Sequence, residues 1–249
     1  MSFPEEIPLP PQIEIETVAY CNRVCPSCLR NSDEDREAWR AWFDKSERMP
    51  TEEVRRILVE ARAQLGCSVA CLQHFGEPLV DDRIAGFARF AKQLGYAHAF
   101  VCTNADFLTE EMARELDGAL DQMFVSLYDE RSRAERQAWI AGLFSRTDLV
   151  FTDGAHVPTH FSPVFDVARL TRSNRSRPCH EPLRRMIVNH RGEMLLCCDD
   201  GIGRFGLGNV RDASLRELWF SERHRELVRA LLVPGGRSVH PHCESCPRA

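Results

Sequence analysis

The spacing of apolar and polar positions changes between two periods along the first part of the chain. Residues 13–19 alternate apolar and polar side chains and predict a strand, and residues 67–72 predict a second, short apolar strand. Between them, Thr51 can cap a helix. The apolar residues on one face of that helix are Val54, Ile57, Leu58, Ala61 and Leu65. This order of strand, helix and strand predicts a βαβ unit.

The alternation of the two periods continues beyond this unit. It predicts helices over about 81–94, 109–120 and 132–144, and strands over about 98–103, 123–127 and 149–152. Regular alternation of strands and helices implies parallel strands with right-handed crossovers. We therefore expect an α/β fold, a full or partial barrel whose functional site lies at the carboxyl ends of the strands. The charged segment 31–50 is expected to be a loop with a short helix.

The alternating pattern stops near residue 154, and the segment that follows, to residue 177, is rich in Pro, His, Ser and Arg. We place a domain boundary there, with one unit over 1–154 and a second over 155–249. Residues 186–197 predict a hairpin that turns at 189–192. Ser214 and Glu217 form a capping box that opens a helical region.

Composition narrows the class of protein. Of the 249 residues, 43% are hydrophobic and 28% are charged, as in an ordinary globular protein, and the net charge is −5. Basic residues are dispersed, which argues against nucleic acid as a partner. No apolar run approaches the ~18 residues of a membrane span, and the first residues are acidic and proline-rich where a secretory signal would be basic and then apolar. We expect a cytoplasmic protein. The chain has eleven cysteines, and in that compartment clustered cysteines are expected to bind metal or do redox chemistry.

Cys21, Cys25 and Cys28 place three thiols within eight residues, directly after the first predicted strand. A [4Fe–4S] cluster takes four thiolates. Three thiolates from one loop would leave the fourth iron open for a substrate or cofactor. Closely spaced cysteines can also hold zinc, with a distant Cys or His completing the site.

The C-x3-C-x2-C spacing at the end of the first strand resembles the radical S-adenosylmethionine (SAM) superfamily. This resemblance implies a partial (β/α)6 barrel whose open iron binds the methionine group of SAM. One-electron reduction then cleaves SAM to a 5′-deoxyadenosyl radical. Residues 72–78, Leu-Gln-His-Phe-Gly-Glu-Pro, resemble the Gly-Gly-Glu-Pro motif of this superfamily.

The resemblance also implies residues that contact SAM. Those residues are Gly76, Glu77, Pro78, Thr103, Asn104 and Ser126. One position departs from the superfamily pattern, because Ser27 stands where an aromatic residue usually packs near the adenine. Tyr20 or Leu29 could supply that contact instead.

A second group of cysteines follows the predicted barrel. Its members are Cys179, Cys197, Cys243 and Cys246. Alone, they would suggest a zinc ribbon, but beside the first group they resemble the Twitch domain, a shortened SPASM domain. The resemblance implies a second [4Fe–4S] cluster with four protein ligands, after a linker and a possible last barrel strand. Cys198 is an alternative to Cys197, and Cys67, Cys71 and Cys102 are predicted to pack in apolar strands.

Within the superfamily the chain is most similar to the 2-deoxy-scyllo-inosamine dehydrogenases of aminoglycoside antibiotic biosynthesis. This resemblance implies oxidation of an alcohol carbon of a small aminocyclitol or sugar to a ketone. The second cluster would accept one electron, and flavodoxin or ferredoxin would act as the electron donor. His156 and Asp199 are candidates for the base that takes the hydroxyl proton, which the sequence leaves unassigned.

Three alternatives remain open at the level of sequence. The chain could be a radical SAM epimerase, in which a thiol such as that of Cys102 returns a hydrogen atom. It could be a radical SAM enzyme that modifies a peptide. It could also be a zinc-binding module without enzyme activity.

Overall fold

The computed structural model describes residues 7–23, 25, 28, 47–129, 131–153 and 175–247. In these residues seven strands form one sheet. Their bounds are Gln12–Ile15 (β1), Val69–Cys71 (β2), His98–Thr103 (β3), Gln122–Leu127 (β4), Asp148–Asp153 (β5), Met186–Val188 (β6) and Met194–Leu195 (β7). The α-helices described are Thr51–Gln64 (α1), Ile84–Gln93 (α2), Glu110–Leu116 (α3), Arg133–Leu143 (α4), Glu181–Arg184 (α5), Leu215–Trp219 (α6), Glu222–Leu231 (α7) and Pro241–Glu244 (α8).

The sheet has the strand order β5-β4-β3-β2-β1-β6-β7. Strands β1 to β6 all run parallel to one another. Strand β7 runs antiparallel to its neighbour β6. The predicted alternation of strands and helices, and the α/β class with a partial barrel, are confirmed. The predicted boundary at residue 154 lies outside the described residues, as does most of the segment 31–50.

The two faces of the sheet differ in chemistry because side chains alternate along each strand. One face belongs to the hydrophobic core; its members include Ile13, Ile15, Ala70, Val101, Val125 and Val188. The alternate positions form what we call the inner face: Glu14, Cys71, Phe100, Cys102, Phe124, Ser126 and Ile187. Burying polar groups costs free energy unless they are paired, so the inner face must supply its own hydrogen-bond partners.

The hairpin predicted over 186–197 forms, with β6 and β7 as its two strands. Its first strand, β6, pairs in parallel with β1, so the hairpin extends the main sheet. Its second strand, β7, runs back antiparallel to β6. Cys21 therefore follows the carboxyl end of a strand, whereas Cys197 follows β7 at the opposite end of the sheet.

Two predicted helices are shorter in the structure. The segment 81–94 begins as a helix at Ile84, after a separate 3-10 turn over Pro78–Val80. The helix predicted to end near 120 ends at Leu116, because Asp117 takes an extended conformation. The Asp117 carboxylate accepts hydrogen bonds from the backbone N–H groups of residues 145–147 and from the Ser145 hydroxyl. This side chain thus joins the end of α3 to the start of β5.

We expect Asp117→Ala to lower the free energy of unfolding at pH 7 by about 1–3 kcal/mol, because it removes hydrogen bonds to a charged group. Burial favours the protonated carboxyl, but the bonds from residues 145–147 outweigh it and hold the pKa of Asp117 below its usual value. The contribution is therefore present at neutral pH and is lost as pH falls below about 4. Urea unfolding at pH 7 and pH 3 measures both effects.

Asp82→Ala is the matched control, since that side chain is 88% exposed. It should change the unfolding free energy by less than about 0.5 kcal/mol. Equal losses in the two variants, or a loss for Asp117→Ala that does not shrink at low pH, would contradict the assignment.

Candidate functional site

The first site lies where β1, β2 and β3 end. Cys21 follows β1, Gly76 and Glu77 follow β2, and Thr103 and Asn104 end β3. The structure brings these segments together: the Asn104 side-chain amide lies 3.8 Å from the Cys21 sulfur. Residues far apart in sequence thus meet at one edge of the sheet, as the β/α pattern predicted.

Glu77 ties the loop after β2 to the end of β3. Its carboxylate accepts hydrogen bonds from the Thr103 hydroxyl, from the Asn104 backbone N–H at 2.9 Å and from the Leu79 backbone N–H at 3.0 Å. Burial raises the pKa of Glu77, although these hydrogen bonds oppose the shift. Because its oxygens are used in this way, Glu77 holds the loop in shape.

Gly76 is the point of closest approach between this loop and the segment before the first cysteine. A Cβ atom at Gly76 would lie 1.9 Å from the Val18 carbonyl oxygen, so only glycine fits there. The next residue, Glu77, donates its N–H to the Tyr20 carbonyl at 2.8 Å. Behind the loop, Glu16 accepts hydrogen bonds from the N–H groups of Phe75 and Gly76. The Gly-Glu-Pro loop and the cysteine loop are therefore packed as one unit.

Polar contacts that the sequence did not reveal hold the cysteine loop against β3 and β4. Asn22 donates to Asp106 at 2.7 Å, and the Arg23 guanidinium binds the same carboxylate through two hydrogen bonds of 2.6 Å. Arg23 also lies over the Tyr128 ring, 4.8 Å from its centre. Burial is the main cause that raises the pKa of Tyr128, and a hydrogen bond with Cys25 raises it further. Only Asp106, within the Thr-Asn-Ala-Asp segment, carried a signal in the sequence.

Ser126 lies on the inner face of β4, where its hydroxyl is 3.1 Å from the Thr152 hydroxyl of β5. A contact between Ser126 and SAM stays a prediction. So does a role for the Tyr20 side chain in binding the adenine, since the contact quoted above uses only its backbone. Ser27, Leu29 and His156 lie outside the described residues.

The second site is a small cavity lined by thiols. The cysteines on its wall are Cys179, Cys197, Cys198, Cys243 and Cys246. Cys179 is held by a 2.7 Å hydrogen bond from its N–H to the Leu231 carbonyl, and Cys243 belongs to α8. The structure thus gathers residues from three separate parts of the chain around one space, and both members of the Cys197–Cys198 pair reach it.

Burial raises the pKa of the Cys179 and Cys197 thiols, and that of Cys243 to about 12. Thiolates in such surroundings need a bound metal to stay deprotonated. Within the described ranges, no three His, Cys, Asp or Glu side chains converge closely enough to hold a single metal ion. The thiols surround a cavity instead, and an all-cysteine donor set of this kind suits an iron–sulfur cluster.

Asp199, a candidate base, lies on the wall of this cavity. Its carboxylate accepts a hydrogen bond from the Cys246 thiol at 3.4 Å, and its backbone carbonyl lies 2.9 Å from the His242 ring. These contacts associate Asp199 with the second site.

None of the helices among the described residues has both the length and the apolar character that a membrane span requires.

Two protein-family models match the parts of the chain that carry the two groups of cysteines. Residues 15–129 match the radical SAM superfamily, and residues 179–247 match the SPASM iron–sulfur cluster-binding domain. The chain is a radical SAM enzyme with a C-terminal auxiliary-cluster domain. These two domains imply SAM and [4Fe–4S] clusters as its cofactors.

One curated relative is the S-adenosyl-L-methionine-dependent 2-deoxy-scyllo-inosamine dehydrogenase of Niallia circulans. It is 23% identical over 248 residues, which cover 94% of this chain and 91% of the relative. The crystal structure of BtrN in complex with AdoMet and 2-DOIA aligns with a TM-score of 0.75 at 18% identity, over 98% of this chain and 95% of that one.

A structure of Streptococcus suis SuiB bound to S-adenosylmethionine has a TM-score of 0.63 at 15% identity. The alignment covers 96% of this chain and 69% of that one. At these identities the solved structures show a shared fold.

We expect Gly76→Ala to lower SAM cleavage by about 100-fold, because the added methyl group would push the loop away from Val18 and displace the backbone atoms that are predicted to contact SAM. Formation of 5′-deoxyadenosine by the reduced, reconstituted enzyme measures this loss.

Gly86→Ala is the matched control. Gly86 lies in α2, and a Cβ there meets nothing within 4 Å. This variant should cleave SAM normally and be more stable by roughly 0.5–1 kcal/mol, since alanine favours a helix. A Gly76→Ala enzyme that cleaves SAM at the normal rate would show that this close approach is unimportant.

Proposed function

We propose that this enzyme oxidises an alcohol carbon of a small aminocyclitol or sugar to a ketone. The observation that carries the proposal is the arrangement of two cysteine groups at opposite ends of one sheet, with a partly polar inner face between them. A similarity that spans 94% of the chain to a dehydrogenase with an aminocyclitol in its name supports the choice of substrate class.

In this proposal the two groups of cysteines have unequal ligand counts. Cys21, Cys25 and Cys28 would hold the first cluster and leave one iron for SAM. The second cluster would be held by Cys179, Cys197, Cys243 and Cys246. When bound, the first cluster and SAM supply a hydrogen-abstracting radical, and the second cluster, closed by four thiolates, accepts an electron.

Several residues of the protein would hold the groups that carry out this chemistry in position. The contacts of Asn22, Arg23 and Asn104 fix the cysteine loop against β3 and β4. Glu77 holds the shape of the loop that would present backbone atoms of Gly76 and Pro78 to SAM. The inner face would hold the substrate carbon and exclude water from the reacting atoms. We further propose flavodoxin or ferredoxin as the electron donor.

Iron content tests the ligand assignment. The reconstituted enzyme should hold about eight irons per chain, and the combined substitution of Cys21, Cys25 and Cys28 by alanine should leave about half. Replacing the four cysteines of the second site should remove the other half and leave SAM cleavage in place. Iron and sulfide analysis and detection of 5′-deoxyadenosine measure both results.

Cys67→Ala is the control for replacing a cysteine that is assigned to neither cluster. That thiol is buried and donates to the Pro10 carbonyl at 3.2 Å, away from both groups. It should keep all of the iron. Loss of all iron, or of none, from the triple variant would overturn the assignment.

Product analysis tests the reaction. With 2-deoxy-scyllo-inosamine as the probe, the enzyme should form one ketone for each 5′-deoxyadenosine, because the substrate gives up a hydrogen atom that is not returned. In heavy water the recovered alcohol should carry no deuterium on carbon. Deuterium on the recovered alcohol would instead indicate an epimerase with an exchangeable hydrogen donor.

Cys102 is the candidate donor for that alternative, since it lies on the inner face and burial raises the pKa of its thiol to about 12. Cleavage of SAM without ketone from this probe or from sugar alcohols would remove the proposed substrate class.

A further inference from the structure

A group of three ionisable side chains lies at the inner face, between the two cysteine sites. Glu14 of β1 is only 4% exposed. One of its carboxylate oxygens is 2.5 Å from the His74 Nδ1 atom, and the other accepts a hydrogen bond from Arg185 at 3.1 Å. We call Glu14, His74 and Arg185 the inner-face triad.

The triad has a neighbour in each of the two sites. His74 stands two residues before Gly76, in the loop that packs against the first cysteine segment. Arg185 precedes β6 and also reaches the Glu181 carboxylate at 3.5 Å. Glu181 lines the thiol cavity, where Cys198 donates to the same carboxylate at 3.9 Å. In the proposed function, a substrate that gives a hydrogen atom at the first site and an electron at the second would lie between the two sites, on the face that carries this group.

His74 has a carboxylate at one ring nitrogen, Nδ1, and no hydrogen-bond partner among the described residues at the other, Nε2. Its side chain is 3% exposed. Both ring nitrogens of His190 are bonded, to Glu16 and Glu47. His224 also has an Nε2 atom without a hydrogen-bond partner among the described residues, but its Nδ1 faces the backbone carbonyl of Trp219 at 2.7 Å and not a carboxylate. Buried polar atoms without a partner are rare, and a bound ligand is one of their ordinary explanations.

The charges around His74 favour the protonated ring once a proton arrives. Glu14 of β1 and Glu16, just after that strand, act on it, and Asp200 contributes from the C-terminal domain. Arg185 opposes them through its bond to Glu14. Burial lowers the pKa of His74, but the carboxylates, Glu14 above all, outweigh burial and raise it. A ring in these surroundings can take up a proton and hold it.

We propose that His74 accepts the hydroxyl proton of the alcohol substrate at Nε2, while Glu14 orients the ring and Arg185 fixes Glu14. This assignment rests on the proposed function, in which the base that takes the hydroxyl proton was left unassigned. The carbinol carbon loses a hydrogen atom to the radical, and the hydroxyl oxygen loses its proton to Nε2. The remaining electron passes to the auxiliary cluster, so that a C=O bond forms and every atom and electron is accounted for. Carboxylate-held histidines commonly serve as general bases.

The decisive variant is His74→Gln, whose amide can still donate to the substrate oxygen but cannot accept its proton. We expect ketone formation to fall by about 100-fold or more, which is the usual contribution of a general base. Iron content should be unchanged, 5′-deoxyadenosine should still form, and the ratio of 5′-deoxyadenosine to ketone should rise well above one. The affinity of the oxidised, SAM-loaded enzyme for 2-deoxy-scyllo-inosamine, measured by calorimetry, should change less than about threefold.

The pH profile supplies an independent readout. The base must be neutral to accept a proton, so ketone formation should rise with pH and reach half its maximum above 6.5, the ordinary pKa of histidine. This limb should disappear in His74→Gln. His98→Gln is the matched control, because His98 is a half-buried histidine at the amino end of β3. It should keep the normal rate and the normal profile.

The outcomes separate the two proposals. A wild-type enzyme that forms no ketone from 2-deoxy-scyllo-inosamine overturns both the function and the role of His74. If the wild-type enzyme forms ketone and His74→Gln matches it in rate and pH profile, only the role of His74 fails. It fails equally if the variant loses iron or substrate affinity in step with ketone, since that is the result of a structural role.

Discussion

The cost of burying two carboxylates in one short segment organises much of this molecule. Glu14 and Glu16 are 4% and 3% exposed. Glu14 lies on β1, the strand between β2 and β6 in the main sheet, and Glu16 follows directly after that strand. A buried carboxylate that stays charged must be paired and hydrogen-bonded. Glu14 is paired with His74 and Arg185, and Glu16 with His190 and the N–H groups of the Gly-Glu-Pro loop. Burial favours the protonated form of both acids, but these partners outweigh it and lower their pKa values. Segments from both halves of the chain are held around β1 by this requirement.

The sequence predicted the parts of the site that are local along the chain. The cysteine spacing, the Gly-Glu-Pro loop and the Thr-Asn segment are each contiguous, and the alternation of strands and helices predicted that they meet. The capping box at Ser214 and Glu217 forms as predicted, because both of its hydrogen bonds are made within one turn. Contacts of this range depend little on the rest of the fold.

The sequence could not predict the contacts that depend on tertiary packing. Glu14 and Arg185 are 171 positions apart, and nothing in the period of either segment indicates that they meet. The hairpin over 186–197 has a clear local signal, but its place beside β1 depends on which sheet edge is left open. The early end of α3 has a similar cause, since Asp117 leaves the helix to bind a turn 28 to 30 residues away. In each case a long-range partner decided the outcome.

The doublet of Cys197 and Cys198 has a consequence for how the second site tolerates change. The doublet follows the two-residue strand β7 after one intervening residue, Leu196. A single insertion or deletion in the hairpin would move the residues after it by one position. A neighbouring thiol is then already in place, since both sulfur-bearing residues line the cavity. A hairpin that is longer or shorter by one residue could therefore still present a thiol to this cavity.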